Sequence, residues 1–349
     1  MDRRLLLLTL LAASCSTGDA PAVRTATAGG SDSAARVLAD APNSPGAGTG
    51  SASVAAATST GATSAGEVAP NAQGRIPVLE YHVIDGDKNT LYTRTAASYR
   101  ADLESAYQLG YRPVTIAQML DKDFRDVPAG MSPVVVVFDD ASDSQFRYLE
   151  KGGALVVDPT SGLGIWEDFA RTHPGWKNRA VFCMLNGGAA GHNFFGDNPK
   201  YNGQKKEWRH QKVKYLADQG HELCVHTLWH AKLSQYPDNV VQEQIARNAM
   251  GIDSAVPGYK IRTMALPYGL WPKNRPLAWQ GSWTDPKSGK THSYKFDAVL
   301  EVAGGPTRSP YDPQFNPKSI NRIEAIGDDI VKALTKLQKS NTRMVVSGK

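Results

Sequence analysis

The chain is poor in cysteine. Three occur in 349 residues, Cys15, Cys183 and Cys224, too few to serve as a disulfide framework. It also lacks a concentration of charge of either sign. Lysine and arginine number 39 against 34 aspartate and glutamate, a net charge of +5. The basic residues are scattered, with Lys205, Lys206 and nearby Arg209 as one small cluster. Dedicated nucleic-acid binding needs a basic face, so no nucleic-acid partner is expected, although weak attraction to anionic cell-envelope polymers fits the net charge. The apolar stretch from Leu5 to Leu11 is far shorter than the roughly 20 residues that span a bilayer. No internal repeat is visible.

What stands at the N-terminus is a positive-then-apolar segment, Asp2-Arg3-Arg4 followed by Leu5 to Leu11 and Ala12-Ala13-Ser14. It reads as an export signal. Cys15 follows directly in a setting that resembles a lipobox, with Ala12 where leucine is commonest. That resemblance implies a lipid-modified N-terminus, membrane contact only through that lipid, and an exported protein facing the periplasm or cell exterior. Residues 1–15 are thus expected to be a signal peptide with a lipobox. Residues 16–74 are rich in Ala, Ser, Thr, Gly and Pro with few large apolar side chains. Such a segment cannot offset its ordering entropy by burial, so it reads as a tether whose reach grows with the square root of its length. Residues 75–349 suit one large domain and contain all seven tryptophans. Cys183 and Cys224 fall in apolar, strand-like runs. In an exported protein they either pair or remain two buried thiols, and the sequence leaves both open.

Within that domain strand-like and helix-like patterns alternate. Strands are expected at 76–82, 113–115, 133–138, 180–185, 222–225, 261–266, 298–302 and 320–326. Helices are expected at 97–109, 116–120, 207–219, 240–256 and from Asp328 onward, the first closed by Gly110 and the third by Gly220. The run of four valines and Phe138 suits a strand covered on both faces. Repeated strand–helix units imply a parallel sheet, open or closed into a barrel. Residues 186–206, 269–294 and 303–318 read as long surface loops.

Three segments follow apolar strands directly: Phe138-Asp139-Asp140, His226-Thr227-Leu228-Trp229-His230 and Pro267-Tyr268-Gly269. In a closed barrel the chemistry sits at the C-terminal ends of the strands. Two histidines four apart reach one cation if they share a helical turn. With Asp140 they supply the three His/Asp/Glu ligands that a catalytic zinc site takes, with a position left for water. Such an ion brings the pKa of water toward neutrality. Asp139 can serve the same site only where the strand ends and the backbone turns. There it can act as general base, kept ionised by the cation. Pro267 and Gly269 shape a turn that exposes the Tyr268 amide toward a developing oxyanion. Trp229 and Trp271, with Pro267 beside them, are candidate substrate-binding residues, since sugar rings stack on aromatics. Packing of the loop base is the alternative for both tryptophans.

Together these segments resemble the polysaccharide deacetylases, the NodB-homology or carbohydrate esterase family 4 enzymes. The resemblance covers most of residues 76–326. Ile76 to His82 is similar to that family's opening strand. Gly110-Tyr111 and Val114-Thr115, within Leu103 to Leu120, are similar to its first helix and next strand. Asp139-Asp140 resembles the first motif, His221-Glu222 leading into His226 and His230 the second, Ala265 to Gly269 the third, and Arg322-Ile323 the final strand. The resemblance implies a distorted (β/α)7-type barrel as a single catalytic domain. It implies Asp139 as base and Asp140, His226 and His230 as ligands for Zn²⁺ or another divalent transition metal.

There are departures. Ala141 stands where glycine is usual, Ala231 where proline is, and Ala265 where many members carry an arginine that orients the base. Ala265 is similar to the branch that deacetylates poly-N-acetylglucosamine. No histidine follows His292, so the family's C-terminal acid is missing. His82, at the end of the first strand, is the candidate proton donor, or else supports the rim through a hydrogen bond. The resulting expectation is a metal-dependent N-deacetylase acting on amino-sugar units of a cell-envelope or extracellular polysaccharide. The alternatives are an esterase or amidase of the same fold, and a glycan-binding envelope lipoprotein whose site has decayed.

Overall fold

In the computed structural model, residues 69–188, 192–196 and 203–348 are described; the expected signal peptide, Cys15 and nearly all of the expected tether lie outside them. Seven strands follow one another, with α-helices in the first four connections: β1 (Val78–Tyr81), β2 (Ser132–Asp140), β3 (Val181–Met184), β4 (Glu222–Val225), β5 (Thr263–Ala265), β6 (Ala298–Gly304) and β7 (Ile320–Glu324). Each pairs in parallel with the strands before and after it in the chain, and β7 pairs with β1. The sheet is therefore a closed seven-stranded parallel barrel, as the resemblance implied. Its distortion has local causes: β5 is three residues long, and the register slips between Leu300 and Gly304 where β6 meets β7. A short strand, Tyr111–Pro113, pairs with the first residues of β2 outside the closed ring.

Side-chain alternation with period two sorts each strand into an outer and an inner face. Val134, Val136 and Phe138 of β2 face outward against α1 (Ala96–Gln108), which supplies Tyr99 and Leu103. Val135 and Val137 face inward, where they meet Val78, Val181, Cys183, Cys224, Leu300 and Ile320. Met119, Phe124 and Met344 belong to the same buried cluster. The interior is apolar along most of its length and changes character at the strand ends, where Glu80, Asp139 and Arg322 occupy inward positions.

Cys183 and Cys224 are register partners on β3 and β4. They form a disulfide inside the barrel, with Cα atoms 4.1 Å apart, which settles the pairing left open above. Denatured, unreduced protein is expected to show no thiol from these two residues, and two additional thiols after reduction. The bond closes a 41-residue separation, so the Cys183→Ala/Cys224→Ala variant should lose about 2–4 kcal/mol in urea unfolding.

The structure departs from the expectation in several elements, among them an unexpected hairpin of Tyr148–Lys151 with Ala154–Val157. Residues 162–172 form α2 (Gly162–Thr172), capped by Ser161, whose hydroxyl accepts the Gly164 N–H. Glycines in its first turn hide it from a propensity reading, yet Leu163, Trp166 and Phe169 are buried on one face. Residues 280–295, read as loop, contain an antiparallel hairpin, Gln280–Thr284 with Thr291–Lys295. Its partly buried Trp283 and buried Tyr294 pack on the core. α3 (Arg209–Asp218), α4 (Asp238–Ala255) and α5 (Asp329–Lys339) fall where helices were expected.

Candidate active site

At the end of β2 the two aspartates separate. Asp139 keeps the inward parity of Val135 and Val137. Asp140 would point outward in a continuing strand, but the backbone turns left-handed at Asp140 (φ 78°) and Ala141 (φ 56°). The turn required for both carboxyls to serve one site is therefore present. It also explains why glycine is common at the Ala141 position, since a Cβ there costs roughly 1–2 kcal/mol.

His226 leaves β4 with its N–H donated to Asn248 Oδ1 at 3.1 Å. Its Nδ1 lies 3.0 Å from the Ala265 carbonyl oxygen and so donates to it, which leaves Nε2 as a lone pair facing the site. The following residues are not the helical turn expected from the spacing. Thr227 (φ 71°) and His230 (φ 66°) are both left-handed. The Thr227 hydroxyl accepts the N–H groups of His230 and Ala231 at 3.1 and 3.2 Å. A side-chain-braced loop folds His230 back toward His226.

Nε2 of His226 and Nε2 of His230 lie 3.4 and 3.5 Å from Asp140 Oδ1. A tetrahedral ion with bonds of about 2.0–2.1 Å spaces its ligands roughly 3.3–3.4 Å apart. Asp140 Oδ1 and His226 Nε2 are buried and have no hydrogen-bond partner, an arrangement that is costly unless something else satisfies them. The donor set therefore fits a small divalent ion. The charges agree with this. Burial works against ionisation of Asp140, but the adjacent His226 imidazole, and then His82 and His230, hold the carboxyl well below its ordinary value. Burial and the neighbouring His226 bring His230 down to about 4, so it offers a neutral nitrogen.

Beside this triad lies a second buried cluster of Glu80, His82 and Asp139. Arg322, on the inward face of β7 and fully buried, binds Asp139 Oδ2 at 2.8 Å and Glu80 Oε1 at 3.1 Å. Its Nε donates to the Glu301 carbonyl. Burial would raise the Asp139 carboxyl, but Arg322 and then His226 and His82 outweigh it and hold it below the usual range. Burial outweighs Arg322 at Glu80 and pushes that carboxyl well above its ordinary value. Of this coupled pair, Asp139 is the ionised member. Arg322 thus occupies electrostatically the place that Ala265 vacates, a role that sequence reading did not assign. The available signal was a charge at the same inward parity as Ile320 in the strand Ile320–Glu324.

Gln145 was also missed. Its buried side-chain N–H group reaches the carbonyls of both His82 (2.6 Å) and Asp139 (2.5 Å), tying the ends of β1 and β2 together. His82 itself lies 3.5 Å from Glu80 Oε1, and burial lowers its pKa despite the nearby Asp139 and Asp140.

Tyr268 sits in a tight turn at φ 56°. The neighbouring Gly269 and Leu270 N–H groups are used within the turn, whereas the Tyr268 N–H has no acceptor among the described residues. Its ring, 52% exposed, lies 4.2 Å from that of His230. A cavity of about 400 Å³ joins His82, Asp139, Asp140, His226, His230 and Tyr268. Trp229, Pro267 and Trp271 are not part of its wall. Pro267 is buried and Trp229 is exposed. The Trp271 N–H is donated to Glu301 at 3.1 Å and its ring lies under Arg275 at 3.9 Å.

With this geometry in place, comparison with known proteins gives three results. Residues 177–279 match the family model described as polysaccharide deacetylase. A chitooligosaccharide deacetylase of Sinorhizobium fredii is 33% identical over 63 residues, 18% of this chain and 29% of that relative. The chain therefore spans about three tenths of the length of that curated relative. Among solved structures, the Streptococcus pyogenes deacetylase PplD, in complex with acetate, aligns with a TM-score of 0.51 at 14% identity, covering 76% of this chain and 98% of PplD. A polysaccharide deacetylase of Bacillus cereus aligns with a TM-score of 0.51 at 15% identity, over 76% of this chain and 69% of that one. At these identities the structural likeness speaks for the fold.

Proposed function

We propose, for a chain that resembles the polysaccharide deacetylases in its matched segment and its fold, that it is a divalent-metal-dependent hydrolase. It would remove N-acetyl groups from amino-sugar units of a cell-envelope or extracellular polysaccharide. The observation that carries this reading is the convergence of three donor atoms from Asp140, His226 and His230 beside an ionised, arginine-held Asp139.

Asp140, His226 and His230 hold the ion, Zn²⁺ or a similar divalent metal. When bound, such an ion supplies Lewis acidity that polarises the acetyl carbonyl and brings water within reach of a carboxylate base. Asp139 Oδ takes a proton from the water that attacks the acetamide carbon. Arg322 keeps that carboxylate ionised and aimed. The Tyr268 N–H donates to the oxygen on which charge develops. The C–N bond then breaks, acetate keeps the incoming oxygen, and the amine leaves with a proton delivered through His82. His82 is neutral beforehand, because burial lowers its pKa, so it relays the proton that Asp139 has gained. His82→Ala should lower turnover about 10²-fold while metal content stays at the wild-type level. Near wild-type turnover in that variant would remove His82 from the mechanism.

The decayed, binding-only reading rested on the missing C-terminal histidine and on Ala265, and the second of these loses its force. The missing arginine at Ala265 is replaced in space by Arg322, and a binding protein has no physical need for two acids and two histidines at one point. The internal disulfide supports export to an oxidising compartment. We keep the signal peptide, the lipid on Cys15 and the tether as part of the proposal. Purified full-length protein, loaded with Zn²⁺ and given N-acetylglucosamine oligomers, is the test. About one ion per chain with metal-dependent acetate release is expected for a single catalytic site. Bound metal with acyl release only from esters or non-sugar amides would move the assignment to the esterase or amidase alternative.

A further inference from the structure

Tyr92 is 55% exposed and Leu91 is 54% exposed, yet the backbone that carries them is firmly held. The strand pieces Val83–Ile84 and Thr93–Arg94 pair with each other. The Tyr92 carbonyl accepts the Val83 N–H at 3.0 Å, and Thr90 N–H bonds to the Thr93 carbonyl at 2.9 Å. Two residues on, Arg94 is buried and grips Asp102 through two nitrogens at 3.0 and 2.6 Å, while a third reaches the Gly327 carbonyl at 2.7 Å. The Ile84 N–H is fixed on the Ser144 hydroxyl at 3.0 Å. A large aromatic ring on such an anchored segment would ordinarily be turned inward; this one faces solvent.

Its position is specific. Tyr92 lines the cavity that contains the metal-ligand set, and its ring meets the His82 imidazole edge to face with centroids 5.2 Å apart. On another wall of the cavity Tyr268, equally exposed, lies against His230. The donor cluster is therefore flanked by two exposed phenol rings, one beside each of two site histidines. Pyranose rings present CH faces that stack on an aromatic surface, and a rigid tyrosine offers that surface at low conformational-entropy cost.

We propose that Tyr92 is a stacking platform for the sugar unit adjoining the one that is deacetylated, on the His82 side of the site. The inference rests on the deacetylase reading and sharpens it. An enzyme with such a platform beside its reacting centre selects chains of amino sugars over single ones, and it acts on a unit that has a neighbour.

The experiment uses full-length, Zn²⁺-loaded protein and N-acetylglucosamine oligomers of one to five units. In the wild type kcat/KM for acetate release should rise with length. Tyr92→Ala should lower kcat/KM for the pentamer about 10-fold, mostly through KM, and the loss should shrink toward twofold for the single sugar. Tyr92→Phe, which keeps the aromatic face, should restore the length preference. A Tyr92→Ala defect equal at every length, or confined to kcat, would show that the ring merely props His82 and would overturn the platform. Binding separates this failure from failure of the deacetylase reading. Calorimetry of the pentamer on Asp139→Asn protein, with and without Tyr92→Ala, reads the platform without turnover. About 10-fold weaker binding supports it even if no acetate is ever released, and unchanged binding rejects it even if acetate is.

Discussion

Asp140→Ala is expected to abolish stoichiometric binding of the divalent ion and to lower acetate release at least about 10³-fold, because catalysis by a metal site depends on its full complement of ligands. Asp140 is the one anionic member of the proposed ligand set, and its Oδ1 is the atom both imidazoles face, at 3.4 and 3.5 Å. Without it the donors are two imidazoles, and the nearby Asp139 carboxylate is already paired with Arg322. The loss should not come from unfolding. Asp140 is the last residue of β2, and the strand is held by backbone pairing and by the valines below. Melting of metal-free variant and metal-free wild type should differ by no more than about 1 kcal/mol, the ordinary range for a substitution outside the core. Metal content by elemental analysis and acetate release, measured on the same preparation, decide the matter. Retention of both would overturn the ligand assignment.

The second large effect is expected at Arg322. Arg322→Met removes the cation shared by Asp139 and Glu80 inside the barrel, where all three groups are at most 1% exposed. Breaking a buried ion pair from one side costs about 3–5 kcal/mol, because the remaining charge has neither water nor partner. Activity should fall about 10²-fold or more as well, since Asp139 loses both its charge compensation and its aim. The electrostatic account has its own check. Asp139→Asn added to Arg322→Met removes the stranded carboxylate, so the double variant should be more stable than Arg322→Met alone. If chemical denaturation shows it equally or less stable, the Glu80–Arg322–Asp139 cluster is not the source of the cost.

The barrel was legible because its signals are periodic and local. Runs such as the valines of β2 mark doubly covered strands, and glycines punctuate the helix ends. The proposed ligand set could be picked out because Asp140 ends one such run and His226 directly follows another. What could not be read was how the members meet. His226 and His230 are brought together by left-handed backbone at Thr227 and His230, residue types that give no hint of that geometry, so helical spacing was the natural but wrong inference. Arg322 acts on Asp139 from 183 residues away, and only barrel closure makes them neighbours. Glu80 and Arg322 did leave a trace, as charges at the inward parity of Val78 and Ile320 in their strands. That trace becomes interpretable once β1 and β7 are known to be adjacent. The hairpin at 280–295 was hidden among Gly, Pro and Lys residues, because its stability comes from packing on the core and not from its own composition.

The left-handed residues also bear on how the chain can change. Asp140, Ala141, Thr227, His230 and Tyr268 all have φ between 56° and 78°, and each such non-glycine residue carries of order 1–2 kcal/mol of backbone cost. Selection for thermal robustness alone would favour glycine at these positions. At Asp140 and His230 that change deletes a proposed ligand, and at Ala141 and Thr227 it loosens the turns that aim the proposed ligands. Stability and the proposed catalysis would thus compete at the same few dihedral angles, and a lineage evolving toward heat tolerance would have to find its gains elsewhere in the barrel.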